Sequence, residues 1–200
     1  MVLLKDKLHG HRLRLASRSP RRRDLVAGAG LAFELADSYD VEETYPPGLP
    51  AEEVPGYLAV LKSEAYPHAL GVGDILITAD TVVICGGRIF GKPDGREGAA
   101  AMLAELSGRR HTVVTGVALR APGRMRSFSV SSDVWFRPLA EEEIVYYVDT
   151  FRPYDKAGSY GIQEWIGYVA IERIEGSFYN VMGLPVQVLY AELGSFVDTL

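Results

Sequence analysis

The sequence predicts an α/β fold. Apolar and β-branched runs recur along it, at Arg12–Ala16, Leu31–Leu35, Ile75–Cys85, Arg110–Arg120 and Met125–Arg137, and such runs read as strands. Between them lie segments with apolar residues at helical spacing. Arg96–Leu106 is the clearest, with Ala99, Met102, Leu103 and Leu106 on one face and Gly108 just past its end. The single cysteine, Cys85, excludes an internal disulfide, and 48% hydrophobic residues in a chain of 200 are enough for a sizeable core. That length fits one domain, or one domain with two lobes.

Taken in order, residues 1–10 read as a short polar lead, with His9 and His11 solvated rather than metal-bound. After the first strand comes Ser17-Arg18-Ser19-Pro20-Arg21-Arg22-Arg23. Ser19 suits an N-cap and Pro20 the first helical position, so a helix should run from there to Gly28 or Gly30. A helix N-terminus offers free N–H groups to an anion. Three arginines at the positive end of the helix dipole are unfavourable unless an anion joins them. The serines and arginines together compose a phosphate cradle; the plainer reading is a solvated basic helix start. Asp37–Glu43 is an acidic run that is either solvated or a source of a metal ligand. Glu52–Ala69 should be a helix, with Leu58, Leu61 and Ala65 as its apolar stripe and Lys62 exposed unless it has a task.

The stretch Ile77–Pro93 carries the most chemistry. An apolar run ends in Asp80-Thr81, a second run follows from Val82 to Cys85, and Gly86-Gly87 can form the turn of a hairpin returning through Arg88-Ile89-Phe90 to Gly91-Lys92-Pro93. One strand thus delivers an acid and the returning strand a base. An acid able to hold a divalent metal and a lysine able to meet a phosphate are the ingredients of phosphate chemistry. Asp80 is equally readable as a strand-end cap. Gly86–Lys92 also fits the G-x-x-x-x-G-K spacing, but Pro93 replaces the metal-binding Ser or Thr and opposes the helix that must follow, so that match fails.

Further on, Arg110–Arg120 and Met125–Arg137 should form an antiparallel hairpin through Ala121-Pro122-Gly123-Arg124, and Glu141–Val148 a helix opened by acids. Phe151–Gln163 is a polar, glycine-bearing loop in which Gln163 offers an amide able to read a base edge. Gly167–Ile174 reads as a strand, Gly176–Pro185 as a loop whose Phe178 or Tyr179 could flank a base, and Val186–Phe196 as the last helix. The net charge of −5 argues against a general nucleic-acid binder. No stretch has the apolar length of a signal peptide or a membrane span, so the expected setting is cytoplasmic, with no membrane partner.

The segments Leu15–Arg22, Ala79–Val83, Gly91–Pro93, Leu106–Gly108, Asp155–Gln163 and Gly176–Pro185 resemble, in this order, those of the Maf family of nucleoside triphosphate pyrophosphatases. The resemblance runs from about Leu13 to near the end, which leaves 1–10 as an N-terminal extension and 11–200 as a single domain. It implies a Maf/ITPase-like mixed twisted sheet flanked by helices, with two lobes around a central cleft. It implies a reaction needing a divalent cation, Mg2+ or Mn2+, that converts a nucleoside triphosphate to the monophosphate and pyrophosphate. By the family's pattern Asp80 is the proton acceptor, and Asp80 and Glu43 serve the metal. Arg21, Thr81 and Gln163 fall on specificity positions, and Ser17, Arg22, Lys62 and Lys92 on the phosphate side. The pattern around Thr81, Tyr160–Gln163 and Ser177–Asn180 looks like the branch that cleaves dTTP and UTP, with modified pyrimidine nucleotides as further candidate substrates; the resemblance implies a part in preventing misincorporation into nucleic acids and a link to division arrest. A homodimer is implied as well. Glu164-Trp165 departs from the family, where glycine is common after the glutamine. Two other classes stay open: a nucleotide-binding regulator of cell division with incidental hydrolysis, and a nucleic-acid binder using Arg18–Arg23.

Overall fold

The computed structural model of the chain describes residues 3–200. Met1 and Val2, the first two residues of the expected extension, lie outside them. The rest of the extension is more than a polar lead. A short helix, α1 (Leu4–Lys7), buries Leu4. Its backbone at Leu4 donates to Tyr190 Oη at 3.2 Å, and Lys7 pairs with Asp198 at 2.6 Å.

β1 (Arg12–Leu15) leads to α2 (Pro20–Gly28), with Ser19 at the N-cap and Pro20 in the first turn as expected. The second strand shrinks to β2 (Glu34–Leu35), paired in parallel with Arg14 and Leu15. α3 (Val54–Glu64) is shorter than expected at both ends. Pro55 stands in its first turn, where a missing N–H breaks no helical bond. β3 (Asp74–Cys85) joins both apolar runs into one strand of 12 residues. Asp80 therefore stands mid-strand, not at a strand end. A buried carboxylate need not end a strand when a cation pairs with it.

Gly86 and Gly87 have φ of +58° and +76°, the two left-handed residues of a tight hairpin. They return the chain through β4 (Arg88–Phe90), antiparallel to β3 with Phe90 opposite Val83. α4 (Gly95–Leu106), β5 (Arg110–Ala121), β6 (Arg124–Phe136) and α5 (Glu141–Phe151) follow close to expectation.

Two expectations beyond Gln163 fail in part. The strand read over Gly167–Ile174 is present only from Ile171, as β7 (Ile171–Glu175); its first half belongs to a helix, α6 (Trp165–Ala170). At Gly167 a Cβ would lie 1.7 Å from the Ile162 carbonyl oxygen. The turn is thus made by a close backbone approach, which a short apolar run does not signal. The loop Gly176–Pro185 contains α7 (Phe178–Met182), opened by Ser177, whose Oγ accepts from Asn180 N at 3.3 Å. α8 (Val186–Val197) closes the chain.

The strands form one sheet of seven in the order β2-β1-β3-β5-β6-β7, with β4 paired to β3. β1 pairs in parallel with β2 and β3, whereas β3–β4 and β6–β7 are antiparallel. The fold is therefore mixed α/β, a sheet flanked by helices. The chain divides into two compact units, and β3, β5 and β6 each run through both. The first unit comprises the chain up to Asp80, Thr115–Val130 and Gly183–Leu200. Its core includes Leu15, Val26, Ile75, Leu76, Ile77, Leu189 and Leu193. In it α3 presses on β5: a Cβ on Gly116 would meet Gly56 N and the Pro55 carbonyl at 2.3 Å. Thr78 Oγ1 also donates to Ala59 O at 2.7 Å. These contacts fix α3 and so decide where Lys62, near its end, comes to lie. The second unit comprises Thr81–Val114 and Ser131–Met182. Leu103 and Leu106 of α4, Tyr147 and Val148 of α5, Phe136, Ile162 and Ile166 fill its core.

Candidate active site

The first unit gathers a charged cluster around Asp80. Lys62 extends its ammonium from the last turn of α3 to Asp80 Oδ1 at 2.6 Å and Glu43 Oε1 at 2.9 Å. The Asp80 and Lys62 side chains are 11% and 17% exposed, that of Glu43 47%. Lys62 is thus not the exposed helix residue its position alone suggested. Glu43 is set apart from the rest of its acidic run, where the Asp37 and Asp40 side chains stay largely exposed. Two side chains hold this loop in place. Tyr39 Oη donates to Lys62 O at 2.6 Å, and Arg18 donates to Ser38 Oγ and Asp40 Oδ1, each at 2.8 Å. Tyr39 carried no role in the sequence reading, and Arg18 only that of opening the candidate nucleic-acid-binding run Arg18–Arg23. Arg18 belongs to the serine–arginine motif, but Tyr39 gave no local signal.

Arg22 approaches from the first turn of α2. Its Nε donates to Gly183 O at 2.7 Å and its Nη1 to Ala79 O at 2.8 Å. Burial lowers its pKa, Asp80 and Glu43 oppose that shift, and Arg21 adds to it. These groups therefore share one electrostatic environment. Ser17 Oγ accepts from Ser19 N at 3.2 Å, while the Ser19 side chain makes no cap bond. The N-cap serine of α2 thus does not itself supply the side-chain acceptor usual at that position. Ser17, Arg21, Arg22, Glu43, Lys62 and Asp80 all belong to this unit.

Thr81, Lys92 and Gln163 belong to the second unit. Lys92 follows β4 and is exposed. Gln163 is half-buried, and its Oε1 is buried with no hydrogen-bond partner. An unmet buried acceptor costs about 1–3 kcal/mol, so it marks a place where a donor would be welcome. Beside it, Lys156 is buried between Asp155 at 2.8 Å and Glu164 at 3.1 Å. Trp165, noted in the sequence as a departure, packs edge-on against Tyr146 with ring centroids 5.0 Å apart.

The family model described as Maf-like protein matches residues 12–196. The chain belongs to the Maf family. Among its Maf relatives, the dTTP/UTP pyrophosphatase of Porphyromonas gingivalis is 56% identical over 97% of this chain and 98% of its own length. That of Bacteroides thetaiotaomicron is 50% identical over 93% and 96%, and that of Flavobacterium johnsoniae 41% over 98% and 100%. Among solved structures, a nucleoside-triphosphatase / dITP/XTP pyrophosphatase of Mycobacterium abscessus aligns with 94% of this chain and 97% of its own, at 16% identity and a TM-score of 0.43.

Among the described residues of this Maf chain, no group of three or more His, Cys, Asp or Glu side chains could hold a metal by itself. Magnesium in phosphate chemistry does not require one: it takes one or two carboxylates and completes its shell with phosphate oxygens and water. Asp80 and Glu43 supply two such hard oxygen donors. The Lys62 ammonium already lies against both carboxylates, so a divalent ion would share these acids with it. The donor set therefore fits a divalent ion.

Proposed function

We propose that this Maf protein is a pyrophosphatase acting on dTTP and UTP. Water attacks the α-phosphorus, the bond from that phosphorus to the bridging oxygen breaks, and the products are the nucleoside monophosphate and pyrophosphate. The cluster of Asp80, Lys62 and Glu43 beside a fixed Arg22 carries the proposed reaction. The substrate assignment is supported by relatives of that name at 41–56% identity over nearly the whole chain.

Asp80 has one oxygen on Lys62, which leaves its other oxygen to orient the attacking water and take its proton. Asp80 and Glu43 would hold a divalent cation, Mg2+ or Mn2+, which supplies charge neutralisation to the triphosphate when bound. Lys62, Arg22 and Lys92 stabilise charge on the phosphoryl oxygens and the departing pyrophosphate. Arg22 is suited to this because two backbone carbonyls already fix its guanidinium, so little reorganisation accompanies the reaction. Ser17 and the N-terminus of α2 add neutral donors on the phosphate side. Arg21, Thr81 and Gln163 select the base and sugar. The family likeness also supports a homodimer, which solution sizing would test, and a cytoplasmic setting.

The test is a nucleotide panel with magnesium or manganese, with pyrophosphate assayed separately from phosphate. The expected result is monophosphate and pyrophosphate from dTTP and UTP. Asp80→Asn should lower turnover roughly 10²–10⁴-fold, the range of a lost general base, while triphosphate binding survives. Turnover unchanged in Asp80→Asn removes Asp80 from the mechanism. Nucleotide binding with no turnover in the natural protein would favour a regulator instead.

A further inference from the structure

The second unit holds a polar network that the mechanism above does not use. Glu164 is clamped from two sides: its Oε1 pairs with Lys156 Nζ at 3.1 Å, and its Oε2 accepts from the Tyr147 phenol. The same phenol oxygen accepts from Gly161 N at 3.0 Å, and Glu164 N donates to Gly161 O at 3.0 Å. The Lys156 and Glu164 side chains are 9% and 18% exposed. The carboxylate is therefore a negative charge fixed in place.

Gly161 leaves a space that two neighbours fill. A Cβ there would lie 3.0 Å from Glu164 Oε1 and 3.0 Å from Gln163 Nε2. The amino end of the Gln163 amide and the Glu164 carboxylate thus border the same space beside Gly161. The carbonyl end is buried and accepts no hydrogen bond from the protein.

An amide offers a donor at one end and an acceptor at the other, on nearly identical shapes. Thymine and uracil present an N3–H donor, and cytosine presents N3 as an acceptor. A glutamine free to flip would serve both. A fixed carboxylate beside the amino end removes that freedom, because it attracts the N–H groups and repels the carbonyl oxygen.

We propose that Glu164 is a positioning residue for base selection: its clamped carboxylate orients the Gln163 amide so that the oxygen faces the base, favouring thymine and uracil over cytosine. This rests on the reading of Gln163 as a base-selecting residue of a pyrophosphatase. It assigns a task to the acid that replaces the family's usual glycine.

The experiment compares kcat/KM for dTTP and dCTP in the full-length protein and three variants. Glu164→Gln keeps the size and loses the charge. It should lower the dTTP-to-dCTP ratio roughly tenfold, within the discrimination of one good amide–base pair, with dCTP turnover rising in absolute terms. A loosened fold would lower both substrates and could not produce that rise. Tyr147→Phe removes one side of the clamp and should shift the ratio the same way by a smaller factor; it carries the test if Glu164→Gln does not fold. An unchanged ratio in the folded variants, with a collapsed ratio in Gln163→Ala, overturns the role of Glu164 and leaves base reading by Gln163 standing. A natural ratio in Gln163→Ala overturns both. No dTTP turnover by the natural protein overturns the pyrophosphatase reading itself.

Discussion

Each unit sets a lysine between two carboxylates. Lys62 meets Asp80 at 2.6 Å and Glu43 at 2.9 Å; Lys156 meets Asp155 at 2.8 Å and Glu164 at 3.1 Å. The distances are alike, but the origins of the partners are not. Lys62 draws on a helix end, a strand and a loop, which only tertiary structure brings together. Lys156 draws on its own neighbour and on one acid further along the same segment. A locally made clamp fixes the shape of its segment. A cluster assembled from distant elements places charges where the sheet and helices direct them, beside Arg22 and the α2 N-terminus. Each holds two acids against one base, so each keeps net negative charge. In the first unit that surplus suits a cation; in the second it is set next to an amide.

The comparison predicts that loss of Lys62 is felt in catalysis as well as in stability, and loss of Lys156 in stability alone. Lys62→Met should lower kcat/KM for dTTP about 10²–10³-fold, the scale of one lost transition-state donor. It should also cost stability, because the Asp80 carboxylate, 11% exposed, is left without Lys62, while the Glu43 side chain, 47% exposed, can turn to water. Pyrophosphate release and urea unfolding measure the two effects. A folded Lys62→Met protein with natural turnover would make the cluster structural and erase the distinction between the units. Lys156→Met should lower unfolding free energy by about 3 kcal/mol or more, as expected when a buried pair loses one partner. Asp155 can turn outward, but the Glu164 side chain is only 18% exposed. The midpoint in urea should fall at constant slope. A loss under about 1 kcal/mol, the scale of an exposed pair, would show that the clamp carries little.

The local half of this organisation was legible in the sequence. The Gly86-Gly87 hairpin, the Ser19-Pro20 helix start and the period of α4 each follow from residues adjacent in the chain, and the structure contains all three. Asp80 was legible as a reactive acid but misplaced to a strand end, because the cation that lets a strand continue through a carboxylate comes from α3. Lys62 looked exposed for the same reason. The close approaches of Gly116 to α3 and of Gly167 to Ile162 leave no periodic trace, so neither the placement of α3 nor the helix at Trp165 could be read beforehand. Glu164 was visible as a departure from the family, but its contact with Tyr147 joins residues 17 apart in a segment without a repeat.

The second unit also contains a buried polar pair that avoids charge, and pH separates it from the Lys156 clamp. His111 is 1% exposed, its Nε2 lies 2.8 Å from Tyr160 Oη, and the Phe136 ring packs against it at 4.9 Å. Burial lowers the His111 pKa to about 4 and pushes that of Tyr160 up. Both are neutral near pH 7, joined by one hydrogen bond between the phenol oxygen and the imidazole Nε2. An unfolded histidine titrates near 6.5, so between that value and about 4 the unfolded chain binds the extra proton. Stability therefore rises with pH in this window. It is full above about 6.5 and is lost as pH falls toward about 4, by up to roughly 3 kcal/mol on the scale of 1.36 kcal/mol per pKa unit. Urea midpoints measured from pH 7.5 down to 4.5 should show this slope in the natural protein. His111→Gln should flatten it. Lys156→Met should lower every midpoint but keep the slope, since it leaves the buried imidazole in place. A slope that survives His111→Gln would mean that carboxylates, and not the buried imidazole, govern acid unfolding of this unit.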